Sequence, residues 1–152
     1  MGDLSPHFSK SELACRCCGQ LKIESSLVDA LEHLRALAGK PIVVHDGYRC
    51  HEHNQQVGGV HDSEHTRGMA ADISISGLSL QQMYELALQV PAFLGGGIGV
   101  YDGSFLHVDV RTHQARWARV HGEYVAIEKL VTTPTNLVAR SASGSRSGPD
   151  SA

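Results

Sequence analysis

Ten residues constrain this chain more than any other stretch: Ser63-Glu64-His65-Thr66-Arg67-Gly68-Met69-Ala70-Ala71-Asp72, running on into Ile73-Ser74-Ile75. On a helix, His65 and Asp72 would share one face two turns apart. Gly68 and the β-branched Ile73 and Ile75 argue instead for a loop that turns at the glycine and enters a strand. An aspartate early in an apolar strand is costly unless it is paired or holds a cation. Two readings follow: a loop histidine with an aspartate paired to Arg67, or two ligands of a borderline metal such as zinc.

A third ligand has to come from elsewhere, and Phe105-Leu106-His107-Val108-Asp109-Val110-Arg111 offers one. Side chains alternate along a strand, so Leu106, Val108 and Val110 share the core face while Phe105, His107, Asp109 and Arg111 share the other. Alternation alone makes this an ordinary half-exposed strand. Joined to His65 and Asp72, His107 would complete a three-ligand set. The pair His61-x-x-x-His65 has the spacing of a zincin helix, but its glutamate is misplaced for H-E-x-x-H and glycines surround it. His51 and His53 read as solvent-facing.

The remaining elements follow from capping and periodicity. Ser9 with Glu12 is a capping box that starts a short helix ending before Gly19. Ser25 or Ser26 caps the strongest helix, with Leu27, Leu31, Leu34 and Leu37 as its apolar stripe and Gly39 as its stop. Residues 41–45 read as a buried strand, 51–57 as a short helix and 70–75 as a strand. Ser79 caps a helix through Leu88, with Met83, Leu86 and Ala87 inward, closed by Pro91. Gly95-Gly96-Gly97 is a flexible joint into a strand that turns at Asp102-Gly103, a two-residue hairpin signal, into 105–111. A last strand pair spans 115–120 and 124–127. The sum is an α+β domain: an antiparallel sheet with flanking helices. From residue 133 the chain turns small and polar, so 133–152 reads as a disordered tail.

With 152 residues, 41% hydrophobic and 19% charged, the chain suits one globular domain. A net charge of −3 without a basic run gives nucleic acid no footprint. No window is apolar enough for a membrane span, and the N-terminus has neither the basic nor the apolar region of a secretory signal. The expectation is synthesis in the cytoplasm. Cys15, Cys17, Cys18 and Cys50 allow three states: free thiols, a disulfide from Cys15 or Cys18 to Cys50 in an oxidising compartment, or a second, structural metal.

Taken together, Ser63-x-His65-x-x-Gly68-x-Ala70-x-Asp72 and His107-Val108-Asp109 resemble the zinc D-alanyl-D-alanine carboxypeptidase family of peptidoglycan peptidases, which shares its fold with the hedgehog signalling domain. His7-Phe8-Ser9 with Glu12, Gly47-Tyr48-Arg49-Cys50 and residues 96–101 look like segments of one branch of it. The resemblance implies a hedgehog/DD-peptidase-like fold, a zinc peptidase domain over 1–132, and one zinc ion held by His65, Asp72 and His107. It implies hydrolysis of peptide bonds in peptidoglycan stem peptides, of carboxypeptidase or endopeptidase type, by metal-activated water.

The same resemblance implies that Arg49 binds a substrate carboxylate or the developing oxyanion, the alternative being an ion pair with Asp46 or Glu52. Ser63 would support substrate binding. Where relatives carry an acidic residue or a histidine just before the last ligand, this chain has Ser104 and Phe105. Asp109 is then the expected general base, or else a support for a ligand ring or Arg111. The substitution at Ser104 leaves an alternative: a zinc-bearing binding or structural module of the same fold without catalysis. The family also implies action on the cell wall after release or delivery, as a phage or prophage product would act.

Overall fold

The computed structural model of the chain describes residues 2–59 and 63–134. His61 and all but the first two residues of the expected tail lie outside them.

The chain opens with α1 (Lys10–Leu13), where the Glu12 carboxylate accepts from the Ser9 N–H at 2.8 Å, one arm of the expected capping box. In α2 (Ser25–Ala38), Leu27, Leu31 and Leu34 are fully buried. Burying each leucine contributes roughly 1.5–3 kcal/mol. Leu37, expected on the same stripe, is 38% exposed. Gly39 ends the helix in the left-handed region.

β1 (Ile42–Asp46) leads into α3 (His51–Gln56), a 3₁₀ turn (Glu64–Arg67) and β2 (Ala70–Ile75). After α4 (Leu80–Leu88) and α5 (Pro91–Leu94) come β3 (Gly97–Tyr101), β4 (Phe105–Asp109), β5 (Ala115–Val120) and β6 (Glu123–Val125). A second 3₁₀ turn, Ile127–Lys129, follows. The six strands form one sheet in the order β1-β2-β4-β3-β5-β6. This is the expected α+β architecture, with one departure: β3 and β5 run parallel.

Four local expectations need correction. β1 is not buried on both faces: Ile42 and Val44 point into the core while Val43 is 48% exposed. Pro91 does not merely close α4 but opens α5 at its first turn, where its missing N–H costs nothing. The glycine run is not a loose joint, since Gly97 is already in β3 and pairs with Asp109. The β3–β4 loop has three residues rather than two, with Tyr101 opposite Phe105 and Ser104 taking the left-handed conformation.

Helices α2, α4 and α5 cover one face of the sheet. Leu31, Leu34, Met83, Tyr84 and Phe93 pack there against Ile73, Ile98, Leu106 and Val108 in a single core. The other face carries a lateral row: Asp46 pairs with Asp72, Asp72 with His107, His107 with Gly99 and Gly99 with Trp117. Strand pleating puts all five positions on the same side. The expected split of β4 into a core face and a second face holds, but the second face is buried as well: His107 is 1% and Asp109 0% exposed.

Candidate metal centre

The row across the sheet brings His107 beside Asp72, and the 3₁₀ turn brings His65 over both. Ser63 caps that turn by accepting from the His65 N–H at 3.1 Å. Gly68 ends it at φ 72°, and a Cβ there would sit 2.2 Å from the Lys22 carbonyl oxygen, so only glycine closes the turn against that neighbouring segment. Asp72 Oδ1 lies 3.2 Å from both His65 Nε2 and His107 Nδ1. One ligand atom from each of His65, Asp72 and His107 lies within 4.8 Å of the others.

The outward-facing ring nitrogens fix the tautomers. His65 Nδ1 is 2.7 Å from the Gly47 carbonyl, which can only accept, so the proton sits on Nδ1 and the Nε2 lone pair faces Asp72. His107 Nε2 is 2.7 Å from Asp109 Oδ2, so Nε2 carries the proton and Nδ1 faces Asp72. Two imidazole nitrogens and a carboxylate oxygen thus converge on one point. Such a buried N, N, O set fits a zinc-like cation and leaves a fourth tetrahedral position open.

Burial disfavours charge on His107, but Asp109 and Asp72 outweigh it and raise its pKa above the ordinary histidine value. Burial likewise pushes Asp72 up, and His65 and His107 overcome it, holding the carboxyl well below the usual carboxylate range.

Asp109 does not reach the pocket. Burial pushes its pKa up, but hydrogen bonding from His107 and Arg111 brings it far below the ordinary value. Its oxygens accept from His107, from Arg111 Nε at 2.9 Å and Nη2 at 2.7 Å, and from the Gly97 N–H at 2.8 Å. A Cβ on Gly97 would lie 2.2 Å from Asp109 Oδ2, so the glycine makes room for the carboxylate. A carboxylate with this many partners, behind the His107 ring, is placed to orient that ring, the support role considered for it beside that of general base.

Ser63 is fully buried, and its hydroxyl caps the 3₁₀ turn by accepting from the His65 N–H. Glu64 is buried within 3.7 Å of Arg67, which therefore pairs with Glu64 rather than Asp72. Trp117 packs its ring 5.0 Å from His107 and donates to the Tyr101 hydroxyl at 3.1 Å, backing the ligand from within the fold.

His65, Asp72 and His107 line the floor of a cavity of about 370 Å³. Its walls include Asp46, Arg49, Tyr101, Phe105, Arg119 and Tyr124. Arg49 both faces the cavity and makes the ion pair considered for it: Nε donates to Asp46 Oδ2 at 2.6 Å, Nη1 to Asn54 at 2.9 Å and Nη2 to Asp72 Oδ2 at 3.4 Å. Tyr101 stacks on Phe105 at 4.5 Å, and the Arg119 guanidinium lies 5.0 Å over the Tyr124 ring. The sequence reading missed Asp46 and the aromatic wall. Asp46 gave a signal in standing just before Gly47-Tyr48-Arg49, but only the β1–β2 register reveals that it lies beside Asp72.

A family model described as Peptidase M15 matches residues 6–109, a span holding the three ligands, Arg49 and Asp109. The peptidoglycan L,D-endopeptidase MepK of Escherichia coli K12 is 36% identical over 95 residues, covering 57% of this chain and 50% of the relative. The MepK protein of Shigella flexneri matches with the same identity and coverage. The chain spans about half the length of the curated relatives it matches.

Proposed function

The chain belongs to the peptidase M15 family, and from that premise we propose that it is a zinc-dependent peptidase cutting peptide bonds in peptidoglycan stem peptides or their cross-links, in the endopeptidase manner. The observation that carries this reading is the convergence of His65 Nε2, His107 Nδ1 and Asp72 Oδ1 on the floor of an accessible cavity. A metal held there would polarise the scissile carbonyl as a Lewis acid and lower the pKa of the attacking water towards ~7.

The chain's own residues do the rest. The Gly47 carbonyl and the Asp109 carboxylate hold the two imidazoles in their ligating tautomers. Arg49 has three of its five N–H groups engaged, leaving two to meet a substrate carboxylate or the carbonyl oxygen as it gains charge. Proton transfer falls to Asp46. It lines the cavity and has Oδ2 fixed by Arg49, while Oδ1 is without a hydrogen-bond partner among the described residues. Asp102 is the weaker choice, since its side chain is 38% exposed and its carboxylate accepts from the His121 N–H. The aromatic wall suits the apolar parts of a short peptide.

The alternative, a zinc-bearing module without catalysis, draws on Ser104 and Phe105 at positions where relatives carry acid or histidine. One experiment separates the two. Defined stem peptides and cross-linked fragments are digested with zinc-loaded protein, with and without a chelator, and read by mass spectrometry. New amines that disappear with chelator support the peptidase. Zinc-loaded, folded protein that releases none supports the inactive module.

A further inference from the structure

Outside the cavity, the described residues bring together one other set of metal-ligating side chains. The sulfurs of Cys15, Cys17, Cys18 and Cys50 all lie within 4.8 Å of one another, although Cys50 is 35 residues from Cys15. Three of the sulfur–sulfur separations are 3.5 Å for Cys17–Cys50, 3.6 Å for Cys15–Cys50 and 3.9 Å for Cys15–Cys17. A disulfide needs about 2.05 Å and takes only two sulfurs. A tetrahedral zinc with Zn–S bonds of about 2.3 Å has thiolates about 3.8 Å apart along each edge. The observed spacings fall around that edge length.

The surroundings suit thiolates. The Cys50 N–H donates to Cys15 Sγ at 3.5 Å and the His53 N–H to Cys50 Sγ at 3.4 Å. Backbone donors aimed at sulfur stabilise negative charge there. Cys15 is buried, Cys50 is half-buried, and Cys17 and Cys18 are exposed, so a metal could enter from solvent.

We propose that Cys15, Cys17, Cys18 and Cys50 form a second, structural zinc site that ties the N-terminal segment to the Gly47–Cys50 strand exit. Binding replaces four S–H protons with four Zn–S bonds, releases those protons, and needs no oxidant. The full set of thiolates closes the coordination sphere, so the site holds structure rather than substrate. Its position gives it a further consequence. Cys50 follows Arg49, and Gly47, two residues before Arg49, holds His65 through its carbonyl. The Tyr48 N–H already bonds the Leu13 carbonyl at 2.8 Å, so the cysteine clamp closes a junction the backbone has begun.

The test uses the full chain, kept reduced, with metal as the only probe. Wild-type protein is expected to bind two equivalents of zinc. With cobalt it should show strong thiolate-to-cobalt charge-transfer absorption, which a histidine–carboxylate site cannot produce. Cys17→Ser with Cys18→Ser should bind one equivalent and lose that absorption. His65→Ala with His107→Ala should keep one equivalent and retain it. The wild-type stoichiometry and spectrum decide the matter even where a variant fails to fold. Reduced wild-type protein that binds one equivalent, shows no thiolate–cobalt absorption, and leaves all four thiols open to a thiol reagent in the presence of zinc would overturn the proposal.

Discussion

Replacing Asp109 with asparagine separates a carboxylate that orients a ligand from one that moves protons. Asp109 is fully buried and accepts from His107, from Arg111 and from the Gly97 N–H. Asparagine keeps the shape but removes the charge that compensates the Arg111 guanidinium, itself 4% exposed. Removing one partner of a buried ion pair costs about 3–5 kcal/mol. The amide must also turn either N–H₂ or C=O towards the His107 Nε2–H and Arg111 Nη2, so at least two donors lose their acceptor. Loss of such support to a ligand histidine lowers metal affinity about 10–100-fold, or about 1.4–2.8 kcal/mol.

The assay is zinc affinity by competition with a chromophoric chelator, followed by peptide hydrolysis at saturating zinc. Asp109→Asn should melt earlier, bind zinc 10–100-fold more weakly, and recover much of its hydrolysis once zinc saturates. A variant with wild-type zinc affinity and no hydrolysis at saturation would refute the positioning role and restore Asp109 as the base.

Asp46→Asn should lower kcat while leaving zinc affinity near wild type, whereas Asp102→Asn should change either little; equal loss in both would remove Asp46 from proton transfer. Arg49→Lys should raise KM for peptides, because an ammonium cannot reproduce a fork that bonds Asp46, Asn54 and Asp72 at once. Gly68→Ala should lose more than ~1 kcal/mol of stability by thermal melting, since it meets both a positive φ and the Lys22 carbonyl. In metal-free protein, the depressed pKa of Asp109 contributes stability that is present above pH ~4 and lost as pH falls below it. His107, with its pKa raised, has the opposite sign: its contribution is present below pH ~6.5 and fades as pH rises through the folded value. Zinc must displace that proton, so zinc affinity should weaken on acidification.

Asp72 was legible because it breaks a local rule, a carboxylate in an apolar strand. His107 and Asp109 fit an ordinary alternating strand and stood out only when set beside the His65–Asp72 segment. What the sequence could not carry was the lateral register. Asp46, Asp72, His107, Gly99 and Trp117 come from five strands, and only pairing aligns them. For that reason Asp109 could be read as a base: alternation puts it on the face of His107 but does not tell whether it lies in front of the ring or behind it. Pro91 and the turn at Asp102-Gly103, which takes in Ser104 as well, were misread for a simpler reason. Proline is a stop signal within a helix and a start signal at its first turn, and a non-glycine residue at positive φ leaves little trace in sequence. The parallel β3–β5 pair escaped notice because the five residues between β4 and β5 carry the chain across to the far side of β3.

The assignment of a catalytic metal to His65, Asp72 and His107 is tested most directly by anomalous diffraction at the zinc absorption edge, from crystals of zinc-loaded protein. A peak is expected bonded to His65 Nε2, His107 Nδ1 and an oxygen of Asp72, with His107 Nε2 still on Asp109. A folded, zinc-loaded chain with no peak among these three side chains, or with the metal on His107 Nε2, would contradict it.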